Sequence, residues 1–179
     1  MVWDISKEFN FCYGHRVWSQ SLIGAFTEKG NTACKCRHLH GHEGKVEVHL
    51  TSEYLENGMV TDFLHLGWLK TFIDNTIDHK FIIDKNDPMF LHFVGAAKSI
   101  EPNLLDGLLK VGYSLDTSNI VNPHEKEILD GFFIVDFVPT SEKLSEWMFN
   151  LVAFKMQRLA KVSRIDWWET PKSRSTYIG

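Results

Sequence analysis

The sequence predicts an α+β fold, and three observations carry that expectation. Alternating apolar residues open and close the chain, two amphipathic helical stretches lie between them, and no regular succession of strand and helix marks a run of βαβ crossovers. With 179 residues, 44% of them hydrophobic and 23% charged, the chain is long enough to bury one sizeable core. A single domain over residues 1–179 is expected.

The elements follow in order. In WDISKEFNFCY (3–13), Trp3, Ile5, Phe9, Phe11 and Tyr13 share one parity, as in a half-buried strand, and the same parity carries His15 to the apolar face. From Glu43 to Thr51 the pattern alternates again, with Val46, Val48 and Leu50 inward. His40 and His42 share their parity, unless Gly41 or Gly44 carries a bulge. A short strand at Met59 and Val60 leads to Thr61 and Asp62, which suit the N-cap of a helix to about Ile77 with Leu66, Leu69, Phe72 and Ile73 as its stripe. The clearest helix follows PTSE (139–142), where Leu144, Trp147, Met148, Leu151 and Val152 recur at helical spacing. Between the helices GFFIVDFV (131–138) reads as a buried strand, and VSRIDWWET with STYIG reads as a closing hairpin. Residues 85–130 form an irregular insertion with helical fragments around PMFLHFVG and PNLLDGLLKV.

Composition excludes some partners. A net charge of −4 with scattered Lys and Arg gives no electrostatic footprint for nucleic acid or for an anionic membrane. MVWDISKEFN lacks a charged n-region and a long apolar run, so a cytoplasmic location is expected. Cys12, Cys34 and Cys36 are an odd number, and the last two are too close in sequence for an easy bridge; all three read as reduced thiols. Histidine is more informative, with nine in the chain.

Four residues with metal-binding chemistry crowd CRHLHGH: Cys36, His38, His40 and His42. His40 and His42, two apart on a strand, project from one face and can share an ion, with inward-facing His15 as third ligand; three protein ligands and an open position describe a catalytic zinc site. His-x-His also arises in a His-rich loop that binds nothing, and spacing alone leaves both readings open. A structural site from Cys34, Cys36, His40 and His42 has poor spacing, and His38, His40 and His42 together span too far along one strand. Asp78 and His79 form an acid–imidazole pair suited to proton transfer. Glu169 alternates with Ile165 and Trp167, which makes it an inward acid or a solvated strand end.

Taken in order, FCYGH (11–15), CRHLHGH (36–42), GMVTDF (58–63), IDHKF (77–81), PTSEKL (139–144) and WWET with Tyr177 downstream resemble the 6-pyruvoyl-tetrahydropterin synthase and 6-carboxy-tetrahydropterin synthase family. The resemblance covers most of the chain apart from roughly 85–130. It implies a T-fold, an antiparallel sheet with two helices on one face whose protomers join edge to edge into a barrel, usually a hexamer built as a dimer of trimers with active sites between subunits. It implies Zn2+ on His15, His40 and His42, catalysis by Cys36 with Asp78 and His79, and a pterin held by Glu169, Thr140 and Ser141. The implied substrate is 7,8-dihydroneopterin triphosphate.

Cys36 stands four residues before His40, the spacing of the 6-carboxy branch, whose product is a precursor of 7-deazaguanine nucleosides such as queuosine. The 6-pyruvoyl branch has a longer gap. Ile82 and Ile83, where the family has Leu-Asn, and Lys143, where Asn is common, depart from the pattern, and Ile83 is expected to alter the pocket wall. KNDPMF fits longer members of the family.

Overall fold

The computed structural model describes residues 2–179. Odd-numbered residues of β1 (Trp3–His15) turn inward, and burial deepens along the strand until Phe9, Phe11, Tyr13 and His15 are almost inaccessible. β2 (His40–Ser52) pairs antiparallel with the whole of β1 and adds Val46, Val48 and Leu50 to the same side. No register shift interrupts this ladder at Gly41 or Gly44, so the bulge those glycines allowed does not form. Gly44 is there for a different reason: a Cβ would come within 2.8 Å of the Phe11 and Tyr13 rings.

Met59 makes only an isolated bridge to Glu56, so the short strand expected at Met59 and Val60 is absent. Asp62 accepts a hydrogen bond from the Leu64 amide and starts a 3-10 turn that runs into α1 (Gly67–Thr76). Leu66, Leu69 and Ile73 form the buried stripe, with Phe72 at its margin.

A strand that periodicity did not reveal follows at once: β3 (Lys80–Asp84), whose Ile82 and Ile83 are both fully buried. A strand covered on both faces has no alternation to detect. β3 runs parallel to the last three residues of β1 and parallel to β6 (Phe132–Val135). The sheet is therefore mixed, not wholly antiparallel.

The segment expected to be irregular is ordered. It contains α2 (Phe90–Val94), the hairpin of β4 (Ser99–Leu105) and β5 (Leu109–Asp116), and α3 (Pro123–Asp130). PNLLDGLLKV, read above as helical, is the core of that hairpin. Asp106 and Gly107 take φ of 52° and 72°, and the Leu108 amide closes the turn on the Leu105 carbonyl; two successive left-handed residues of Asp-Gly type match the twist of paired strands.

The strand expected over 131–138 is confined to β6, after which the chain leaves the sheet toward Pro139. Thr140 then caps α4 (Ser141–Met156) by accepting from the Lys143 amide. The closing hairpin forms as β7 (Lys161–Thr170) and β8 (Ser173–Ile178).

One eight-stranded sheet results, in the order β4-β5-β6-β3-β1-β2-β7-β8. α1 and α4 press Leu69, Ile73, Leu144, Met148, Leu151 and Val152 against one face, where they meet Phe9, Phe11, Val46, Val48, Ile165 and Trp167 in a single cluster. Because β3 pairs only with Tyr13–His15 and the α1–β3 turn takes up the Cys12 amide and carbonyl, the outer edge of β1 from Trp3 to Phe11 has no strand partner among the described residues, and neither has the outer edge of β8. Among the described residues no helix is long and apolar enough to cross a membrane.

Candidate metal centre and its cavity

The C-terminal end of β1 and the N-terminal end of β2 are adjacent in the antiparallel ladder, which sets His15 opposite His40 and Tyr13 opposite His42. His15 Nε2 lies 3.1 Å from the Nε2 atoms of both His40 and His42. The three donor atoms fall within 4.8 Å of one another.

Their tautomers follow from their other contacts. His15 Nδ1 lies 2.6 Å from the Pro139 carbonyl and His40 Nδ1 2.8 Å from the His38 carbonyl. A carbonyl only accepts, so each Nδ1–H donates and each Nε2 keeps its lone pair. Between neutral rings the 3.1 Å approach of those two nitrogens is not a hydrogen bond. It is a convergence of lone pairs that a cation relieves.

Burial, with the neighbouring His40 and His42 adding to it, pushes His15 down to about 4 despite its bond to Pro139, and burial followed by His40 also lowers His42. Neutral imidazoles are the form that binds metal, so this donor set fits one ion. Tyr13 backs the site, packing its ring against those of His15 and His42 while its hydroxyl accepts from Trp167 Nε1 at 3.1 Å.

A cavity of about 160 Å³ opens beside the trio, lined by His15, Val17, Gln20, Cys36, His40, Thr140, Ser141, Glu142 and Glu169. Glu169 Oε1 stands 3.9 Å from His15 Nε2. Burial raises its pKa and Glu142 adds to this, with His40 opposing. An acid in such a place is satisfied by a ligand that offers N–H donors. Thr140 and Ser141 bring the N-terminus of α4 to the same cavity.

The comparisons with known proteins bear on this arrangement. A family model described as 6-pyruvoyl tetrahydropterin synthase matches residues 4–179. The chain belongs to the 6-pyruvoyl tetrahydropterin synthase family. A curated relative from Aquifex aeolicus, named 6-carboxy-5,6,7,8-tetrahydropterin synthase, is 34% identical and the match covers 99% of this chain and 98% of its own. A crystal structure of an uncharacterized protein from Wolinella succinogenes is 42% identical and superimposes with a TM-score of 0.91 over 100% of this chain and 99% of that one. The 6-pyruvoyl tetrahydropterin synthase of Caenorhabditis elegans, 20% identical, superimposes with a TM-score of 0.56 over 100% of this chain and 96% of that one. Its likeness is one of fold. The fold here is the family's T-fold, and the protein is an enzyme, a synthase of the lyase type.

Seven of the nine residues singled out in the sequence thus meet at one place: His15, His40, His42, Cys36, Thr140, Ser141 and Glu169. Asp78 and His79 do not line this cavity. They sit where α1 turns into β3, beside a separate hollow of about 430 Å³ that also takes in Cys12, Gly14, Gly41, His42 and Glu43. Asp78 Oδ1 accepts from the Cys12 amide at 2.8 Å, and Oδ2 lies 3.0 Å from His79 Nδ1. Burial alone would raise the Asp78 pKa; the Cys12 amide and His79 together hold it below the usual range. His79 takes a φ of 59°, uncommon for a non-glycine residue, and its side chain is 80% exposed.

Ile83 is buried in β3 and is absent from the cavity lining, so it does not alter the pocket wall. Two contacts near the site had no sequence signal. Arg16 Nε pairs with buried Asp87 at 2.9 Å, and Trp18 Nε1 donates to buried Asp84 at 2.9 Å. Both tie the segment just after His15 to the end of β3 and the loop beyond it. Such links join residues about seventy positions apart, and neither hydrophobic period nor motif spacing registers them.

Proposed function

We propose that the protein is a zinc-dependent 6-carboxy-tetrahydropterin synthase that converts 7,8-dihydroneopterin triphosphate and one water to 6-carboxy-5,6,7,8-tetrahydropterin, acetaldehyde and triphosphate. The observation that carries this is the position of Cys36, four residues before His40 and sharing one cavity with His15, His40 and Glu169. The name of the Aquifex aeolicus relative supports the same branch.

Zinc held by His15, His40 and His42 would supply Lewis-acid polarisation of the substrate's side-chain oxygens, acidifying the adjacent C–H. Glu169 accepts in a bidentate way from the pterin's N3–H and 2-amino group. Thr140 and Ser141, at the start of α4, flank the ring. Cys36 removes a proton from the side chain and returns one later. Its pKa is raised by burial first and then by Cys34, so the thiol is protonated until a base or a nearby positive charge draws the proton away.

The Asp78–His79 pair is the partner acid and base, and because it lies outside the cavity of its own chain, it serves the cavity of a neighbouring protomer. The unpaired edges of β1 and β8 are the means of joining, one protomer's β8 beside the next one's β1, which also covers two open rows of backbone donors and acceptors. Three such pairings would close a barrel trimer, and two trimers together would make the hexamer that the family resemblance implies.

The deciding experiment incubates purified protein with 7,8-dihydroneopterin triphosphate and analyses products by mass. Acetaldehyde with the carboxy product is expected. Triphosphate release without acetaldehyde would make the protein a 6-pyruvoyl-tetrahydropterin synthase. No turnover, with pterin and zinc still bound, would make it a binding protein.

A further inference from the structure

Cys36 lines the cavity, and a second thiol, Cys34, stands two residues before it. The segment Lys35–Arg37 forms a 3-10 turn that Cys34 caps in extended conformation (φ −112°, ψ 133°), and the turn is closed by the Arg37 amide on the Cys34 carbonyl and the His38 amide on the Lys35 carbonyl. The Val17 amide donates to the Cys36 carbonyl at 2.8 Å and pins this turn to the strand end that carries His15. With a helical residue between them, Cα atoms two apart fall within the roughly 4.4–6.8 Å that a disulfide spans. The side chain of Cys34 lies within hydrogen-bonding reach of the Cys36 thiol. Both cysteines are free and half-buried, whereas Cys12 is exposed on β1 at the other hollow.

Sequence proximity argues against an easy bridge, but the turn brings the Cys34 side chain to the Cys36 thiol. We propose that Cys34 and Cys36 are a redox pair, in which a hydroperoxide converts the two thiols to an intrasegment disulfide that removes the Cys36 thiol from the cavity and that thiol reductants restore.

The step balances. One of the two sulfurs, as thiolate, attacks the hydroperoxide O–O bond and becomes a sulfenic acid while the alcohol or water departs with a proton. The other thiol then attacks that sulfur and expels the hydroxyl as water. Two thiols and one hydroperoxide give one disulfide, one alcohol or water, and one water. A two-residue separation leaves a tight ring, which makes the bond readily reducible and so reversible. Without Cys34, the sulfenic acid on Cys36 has no resolving partner and proceeds to the sulfinic and sulfonic acids. Formation of the bond is independent of the proposed function; its consequence for turnover rests on the role proposed for Cys36.

The test exposes the full-length, metal-loaded protein to hydrogen peroxide and follows intact mass and tryptic peptides. The expected result is the loss of two hydrogens per chain, with GNTACK (30–35) and CR (36–37) remaining joined after cleavage at Lys35 and separating on reduction. Cys12→Ser keeps this behaviour. Cys34→Ser prevents it, retains turnover before oxidation, and loses recovery with dithiothreitol while Cys36 gains two or three oxygens. Oxygen addition at Cys36 with Cys34 still free in the unsubstituted protein would overturn the proposal, as would disulfides only through Cys12. A disulfide that forms without changing turnover would preserve the pair and refute the catalytic role of Cys36.

Discussion

Strand β2 carries two clusters of three potential metal ligands, one on each face, and they differ in what already neutralises them. On the helix-covered face, His40 and His42 meet His15, all three nitrogens converging with no cation of the protein's own among them. On the open face, Glu47 and His49 meet Asp166, whose side chain is fully buried. There the cations are built in: Arg164 Nε lies 3.1 Å from Asp166 Oδ2, Arg164 Nη2 lies 2.9 Å from His49 Nε2, and Arg174 Nη1 is 3.7 Å from Asp166 Oδ2. Asp4 Oδ1 lies 3.0 Å from His49 Nδ1, so the polar network spans four strands. Ligand geometry is therefore similar on both faces, and charge tells them apart. A cluster of neutral lone pairs calls for an ion, whereas a carboxylate flanked by guanidinium groups already has its counter-charge.

The sharpest way to break that contrast is His15→Ala. Metal affinity, read by competition with a chelator, is expected to fall by more than the roughly 10–100-fold typical of losing a supporting contact, and turnover should vanish with it. Tight binding that persists would place an ion on the open face after all. Next in size is Cys36→Ala, for which turnover should drop by about 10²–10⁴, the range of a lost general acid or base, at unchanged metal content. A parallel loss of metal would instead make Cys36 a ligand.

Arg164→Met tests the open face. It leaves buried Asp166 short of its nearest cation, and the thermal or urea midpoint should reveal a loss of about 2 kcal/mol, below the ~3–5 of a fully buried broken pair because Arg174 stays close and Arg164 is partly exposed. Unchanged stability would mean that the network contributes little and that the charge argument needs another basis.

The smallest effect belongs to Asp78. Its folded pKa lies below the unfolded value, so its ionised form adds stability above about pH 4, and that contribution disappears as pH falls through the folded value. Melting curves of Asp78→Asn should accordingly decline less steeply than those of the unsubstituted protein as acid is added below that pH. Parallel declines would remove Asp78 as an acid-sensitive tether of the α1–β3 turn.

Much of this was legible in the chain itself. Strand parity alone placed His15, His40 and His42 on inner faces, because a period of two leaves a side chain only two directions. The stripes of α1 and α4 and the cap at Asp62 follow from equally local rules, whereas parity left Glu169 open between an inward acid and a solvated strand end. β3 was hidden because a doubly buried strand has no polar face, and the β4–β5 hairpin was mistaken for helix because leucines in LLDGLL satisfy either period; only its Asp-Gly turn distinguished them.

What local rules do not reach is contact between distant segments. The Pro139 carbonyl that fixes the His15 tautomer, the tethers from Arg16 to Asp87 and from Trp18 to Asp84, and the placement of His79 at a hollow apart from Cys36, with Asp78 beside it, all depend on which strands become neighbours. The sequence by itself determined which residues have the chemistry and which way they point. Tertiary structure decided which of them meet, because pairing between remote strands is selected by burial of the whole core and not by any short stretch of it.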